Sequence, residues 1–189
     1  MSKVKTIIIT DGDKTAKETL EYVAEHLGLR CISSSWGNPT PLTGEEILSQ
    51  LKKAGEGPVL VMVDDKGASG KGQGESVLET ICKDENIHVM GVLAVASHTD
   101  GIDGVPVKVS VTKEGAIIDG PVDKFGTPEV SGHVRVEGDT VDILNNLDVP
   151  IIVGIGDIGK MDGADEASKG APITTKAIEF ILKESGNSQ

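Results

Sequence analysis

The sequence predicts an α/β domain of three layers, Rossmann-like and doubly wound, whose mostly parallel sheet carries an antiparallel hairpin at one edge. Three observations carry this expectation. Short β-branched runs begin near Val4, Val59, Val89 and Ile151, are apolar on both faces as buried parallel strands require, and each ends in a polar tip. Helical or longer connections separate these runs, and right-handed crossovers then return each strand parallel to the last. Hydrophobic residues make up 38% of the chain but aromatics only 2%, so the core is built from Val, Ile, Leu and Ala, which suits a sheet between helices.

Val4 to Thr10 is the first strand, stopping at Asp11-Gly12-Asp13. Ala16, Leu20, Val23, Ala24 and Leu27 then mark one helical face, with Asp13 placed to cap it and Gly28 to end it. Arg30 to Ser33 reads as a short second strand, followed by a polar loop that holds the single tryptophan, Trp36. That ring is either a lid over a site or a plug in the end of the core, the plug being the commoner arrangement. Thr43 and Glu46 have capping-box spacing ahead of Ile47, Leu48 and Leu51.

Pro58 leads into the buried run Val59 to Val63, which ends in Asp64-Asp65. The Gly-rich loop Lys66 to Glu75 matches neither the phosphate-loop nor the dinucleotide spacing, although Lys71 and free backbone N–H groups offer an anion nest. A helix with Val77, Leu78 and Ile81 follows, then the strand Val89 to Val95 and the tip Ser97-His98-Thr99-Asp100. Alternation at Val107, Val109 and Val111, a turn at Lys113-Glu114-Gly115 and the run Ala116 to Ile118 predict the edge hairpin.

Residues 119–139 show no clear period and are expected to be an irregular insertion, either functional or disordered. Thr140 is placed to cap a short helix with Val141, Ile143, Leu144 and Leu147. Ile151 to Val153 forms a central strand that breaks into Gly154, Gly156 and Gly159, interleaved with Asp157, Lys160 and Asp162. Pro172 suits the first turn of a closing helix bearing Ile173, Ala177, Ile178, Ile181 and Leu182, and residues 186–189 read as a flexible tail. Residues 1–189 are expected to form a single domain.

The net charge of −12 has no basic block to offset it, which argues against binding nucleic-acid phosphates. Cys31 and Cys82 are too few and too far apart for a metal motif or a disulfide framework, and read as buried reduced thiols of an intracellular protein. The start MSKVKTIIITDGD reads as a first strand and not a signal peptide. No run reaches the roughly 18 to 20 apolar residues of a membrane span, so work at a membrane would go through a partner.

Parallel strands place their carboxyl ends on one edge, where open α/β sheets bind ligands. That edge collects Asp11, Asp13, Asp64, Asp65, Ser97, His98, Asp157, Lys160 and Asp162, with Lys71 in the adjacent loop. Crowded carboxylates repel unless a cation compensates, and oxygen clusters suit Ca²⁺ or Mg²⁺, with Asp11, Asp64 and Asp65 as the ligands. The same acids could instead cap helix N-termini, where the dipole favours them.

Several long stretches together resemble the stage V sporulation protein AE family of spore-forming bacteria, in its soluble SpoVAEa type. They are ITDGD at the first strand tip, RCISSSWGNPTPLTGEE from Arg30 to Glu46, VMVDDKGASGKGQGE from Val61 to Glu75 and VMGVLAVAS from Val89 to Ser97. The strongest is DTVDILNNLDVPIIVGIGDIGKMDG from Asp139, with GAPIT ending at Thr174. The resemblance implies a non-enzymatic accessory role in sporulation and germination. It would act with other SpoVA proteins, on calcium and dipicolinic acid crossing the spore inner membrane, alone or as a homo-oligomer. Its place would be inside sporulating cells and spores, peripheral to that membrane. Dipicolinate would meet the acidic edge through its cation, or else Lys71 and Lys160 directly.

The rival class is a Mg²⁺-dependent enzyme, since acidic tips after the first and third strands look somewhat like a Toprim domain. Toprim sites carry Glu at the first tip and Asp-x-Asp at the later one, whereas this chain has Asp11-Gly12-Asp13 and adjacent Asp64-Asp65. No catalytic residue is carried over from either family.

Overall fold

The computed structural model describes residues 2–66, 71–97, 103–129 and 133–186. Nine strands and four α-helices follow in chain order: β1 Val4–Ile9, α1 Lys14–Leu27, β2 Arg30–Cys31, α2 Gly44–Lys53, β3 Val59–Met62, α3 Gln73–Lys83 and β4 Ile87–Val95. Then come β5 Val105–Pro106, β6 Val109–Val111, β7 Ile117–Ile118, β8 Arg135–Val136, β9 Ile152–Ile155 and α4 Pro172–Gly186. Seven strands form one sheet in the order β2-β3-β1-β4-β9-β6-β7. All neighbours are parallel except β6 and β7, which make the expected edge hairpin.

The sheet is covered on both faces, which explains why its strands are apolar on both faces. Ala16, Leu20 and Val23 of α1 and Ile173, Ala177, Ile178 and Ile181 of α4 pack on one side with Ile7, Ile9, Leu60 and Leu93. Ile47 and Leu51 of α2 and Val77, Leu78 and Ile81 of α3 pack on the other with Ile8, Val59, Val61 and Val92. This is the mostly parallel, three-layer arrangement that the periodicity predicts.

The differences are local and have identifiable causes. The second strand is only two residues long, because Ser35 Oγ donates to Ile32 O at 2.6 Å and accepts Met62 N–H at 3.0 Å, winding Ser33–Ser35 into a 3₁₀ turn. The central strand runs on to Ile155, with Val92↔Ile152 through Val95↔Ile155 paired. Gly154 belongs inside it, since a Cβ there would lie 2.4 Å from Ser110 Oγ. Trp36 is 41% exposed with the Lys17 ammonium 5.2 Å from its ring centroid, so it does not plug the core.

The segment expected to be irregular over residues 119–139 has structure in its described part. Asp123 Oδ1 accepts the Phe125 and Thr127 N–H groups, folding a turn closed by a Val122–Pro128 bridge. β8 pairs antiparallel with β5 in a separate two-stranded sheet. Thr140 does not cap the next segment: its Oγ1 accepts Asp65 N–H at 3.1 Å, and Asp142–Asn146 forms a 3₁₀ helix with no side-chain cap. Gly186 is the last residue of α4, while the rest of the expected tail lies outside the described residues. Cys31 and Cys82 are free and half-buried, and burial pushes their thiols up to about 12 and about 11.

Candidate functional site

Two adjacent strands, β1 and β3, send their following helices to opposite faces of the sheet. α1 leaves β1 toward one hydrophobic layer and α3 leaves β3 toward the other. In open α/β folds the carboxyl ends of two such strands flank the crevice where ligands bind. The side chains that follow the two strands are Asp11 and Asp13 on one side and Asp64 and Asp65 on the other.

The tips are stitched together by backbone and hydroxyl groups. Thr10 Oγ1 accepts Val95 N–H at 2.9 Å, tying the end of β1 to β4. Gly12 N–H donates to Asp64 Oδ2 at 3.1 Å, and Gly12 O accepts Gly37 N–H at 2.7 Å. Only glycine allows this approach, because a Cβ at position 12 would sit 2.7 Å from Gly37 O and 2.9 Å from Asp64 Cβ. Thr40 completes the join, with its Oγ1 accepting Asp64 N–H at 2.8 Å and its N–H donating to Asp64 O at 2.9 Å.

Asp11 and Asp64 are both buried, and the carboxylate of each accepts one hydrogen bond among the described contacts. That of Asp11 comes from Asp13 N–H at 3.3 Å, within its own turn. Burial is the largest cause holding Asp11 well above the usual carboxylate range, followed by the charges of Asp13 and Asp64, with Asp157 adding to them. Burial also pushes Asp64 up to about 7, helped by the charges of Asp139, Asp13 and Asp65 and opposed by the Gly12 bond. The edge therefore holds carboxyl groups whose principal electrostatic neighbours are other carboxyl groups. Such a pair can take up a proton near neutrality or accept a hard cation.

The remaining predicted residues divide by what they touch. Asp13 is the α1 cap, its Oδ1 accepting Ala16 N–H at 2.8 Å. Asp65 turns both oxygens onto the start of α3, accepting Gly74 N–H at 2.7 Å and Glu75 N–H at 2.9 Å. Gly72 makes room for it, since a Cβ there would collide with Asp65 Oδ1. Asp157 accepts Gly159 N–H at 3.0 Å and pairs with Lys160 at 2.8 Å. Lys71, ahead of α3, pairs with Glu79 of that helix, and Ser97 Oγ accepts Asp139 N–H at 3.2 Å.

The structure thus brings Asp11, Asp13, Asp64 and Asp157 within electrostatic reach and turns Lys71 to Glu79. The expected cation triad is altered, because Asp65 is committed to α3. Among the described residues, no three His, Cys, Asp or Glu side chains are grouped to hold a metal ion. His98, Thr99 and Asp100 lie outside the described residues. Sequence reasoning missed Asp139, which acts on Asp64 from 75 residues away in the chain, and missed the threonines Thr40 and Thr140 that hold the tips. Asp139 directly precedes Thr140, and that polar pair at the end of an irregular stretch is the only local signal that marked it.

Compared with known proteins, residues 5–185 match a family model described as Stage V sporulation protein AE1. Neither a curated protein nor a solved structure matches the chain.

Proposed function

The chain belongs to the stage V sporulation protein AE family, which gives it a sporulation-related role, and from that premise we propose that it is a non-enzymatic accessory protein of the SpoVA machinery. In this reading it supports uptake or release of calcium and dipicolinic acid across the spore inner membrane. Its acidic strand edge serves as the cation site. No helix among the described residues is long and apolar enough to cross a membrane, which fits a protein that reaches that membrane through other SpoVA proteins.

The observation that carries the ligand part is the meeting of Asp11 and Asp64 at the crevice between β1 and β3, buried and surrounded by further carboxylates. A divalent cation would relieve that repulsion, with Asp11 and Asp64 as its protein ligands and a dicarboxylate free to complete its oxygen shell. Direct contact of a dicarboxylate with Lys71 or Lys160 has less support, because those ammonium groups face Glu79 and Asp157.

Calorimetric titration with Ca²⁺, Mg²⁺, dipicolinate and the calcium–dipicolinate complex tests this. Saturable binding of the cation or the complex is expected, weakened at least tenfold in Asp64→Asn. Dipicolinate alone is expected to give no heat of binding. Absence of binding by every probe overturns the site. Metal-dependent hydrolysis of a phosphodiester reporter, lost in Asp11→Asn, would overturn the non-enzymatic reading in favour of the Toprim-like one.

A further inference from the structure

The two outer strands of the main sheet differ in how their open edges are guarded. β2 presents the exposed Arg30, a charge of the kind that blocks strand addition. β7 presents Ala116 and Ile117, both exposed, with Ile117 43% accessible. Thr112 N–H donates to Ala116 O at 2.8 Å, and the register continues Val111↔Ile117 and Ser110↔Ile118. Hydrogen-bonded and non-bonded pairs alternate along an antiparallel ladder, so the N–H and C=O of Ile117 point away from β6, toward the open edge.

Helix α4 lies over β4, β9 and β6 and runs in the direction of β7, with one side chain reaching the hairpin. Lys176 Nζ donates to Gly115 O, while Glu184 pairs with Lys108, which the hairpin register sets opposite Gly120. Four helical residues rise about 6 Å and two strand residues about 6.7 Å, so Phe180 stands level with Ile117. Phe180 packs against the core beside Lys108, which leaves Lys176 as the α4 charge at this edge.

We propose that β7 is the interface of a symmetric homodimer, in which the β7 strands of two copies pair antiparallel about a twofold axis through Ile117. The two Ile117 residues exchange both backbone hydrogen bonds and continue the sheet from one copy into the other. Asp119 of each copy faces Gly115 of the second copy, where Lys176 has placed its ammonium group. Ile117, Asp119 and Gly115 share the face that carries α4, so each Lys176 ammonium group meets the Asp119 carboxylate of the second copy. One surface thus complements itself in backbone, charge and apolar area, as an isologous contact requires. The inference does not depend on the ligand site at the tips of β1 and β3, on the far side of the sheet.

Sedimentation velocity over a concentration series tests it, with a reversible dimer expected for the natural chain and a monomer for Ile117→Lys at equal helicity and melting temperature. Lys176→Glu is expected to weaken the dimer, and Lys176→Glu with Asp119→Lys to restore it. Facing residues of a bonded antiparallel pair have Cα atoms about 5.5 Å apart, within disulfide reach. Mild oxidation of Ile117→Cys is therefore expected to give a covalent dimer, which neither the natural chain nor Glu56→Cys forms. A natural chain that is monomeric at every concentration overturns the proposal, as does a folded Ile117→Lys variant that remains dimeric. If Ile117→Lys does not fold, failure of Ile117→Cys to cross-link overturns it instead.

Discussion

Asp165, ahead of helix α4, and Asp64, at the tip of β3, are equally hidden from solvent and yet differ in kind. Asp165 is 0% exposed and accepts Ile173 N–H at 2.9 Å, Thr174 N–H at 2.9 Å and the Thr174 hydroxyl at 2.6 Å. Asp64 is 4% exposed and its carboxylate accepts one bond, from Gly12. Burial raises the pKa of both, but at Asp165 the remaining causes are hydrogen bonds that pull it back down. At Asp64 three neighbouring carboxylates add to the rise. A buried acid with a full set of donors holds a helix in place, whereas one among other acids keeps binding capacity in reserve.

The contrast is sharpest in its dependence on pH. The folded-state pKa of Asp64 is raised from 3.8 to about 7, so between these values the native protein keeps a proton that the unfolded chain has lost. Its contribution to stability is complete below about pH 4, falls as pH rises and is gone above about pH 7, and Asp11 acts in the same direction. At about 1.4 kcal/mol per unit, the bound on this loss is about 4 kcal/mol. Asp64→Asn can keep the Gly12 bond without the charge, so it is expected to be more stable than the natural chain at pH 8 by about 2 to 4 kcal/mol in urea denaturation. The two should match at pH 4, and a parallel pH dependence in both proteins would break the comparison.

Asp165→Ala is expected to act in the opposite sense. It leaves the first turn of α4 without its acceptor and should cost about 3 kcal/mol, read as a lower urea midpoint at unchanged slope. A loss below about 1 kcal/mol would mean that water replaces the carboxylate and that donor count is not what separates the two aspartates. Asp65→Ala removes two bonds from α3 and should cost about 2 kcal/mol. Because Asp65 is adjacent to Asp64, this variant also sharpens the contrast: its calcium affinity should change less than that of Asp64→Asn, and an equal loss would return Asp65 to the cation site.

Features that depend on neighbours a few residues away were readable in advance. The Asp13 cap and the Thr43–Glu46 capping box are present because the partners are three residues apart and the helix itself brings them together. Pro172 opens α4 as its fixed φ favours. Thr140 shows where such local reasoning ends. It has a capping residue's identity ahead of a helical segment, but its hydroxyl is taken by Asp65, 75 residues earlier. Lys71 reads in the sequence as part of an anion nest, whereas in the fold its ammonium group pairs with Glu79 of α3.

By itself, then, the sequence determined the long strands, the four α-helices and the acidic tips after β1, β3 and β9, because hydrophobic period and chain-local capping are short-range properties. Only the tertiary structure decided which tip acids would be matched with donors. Asp65 and Asp165 met the free N–H groups of helix starts 9 and 8 residues downstream, while Asp64 met Gly12 across 52 residues. The crossovers that bring β1 beside β3 also bring their carboxylates together, and no local pattern encodes that meeting.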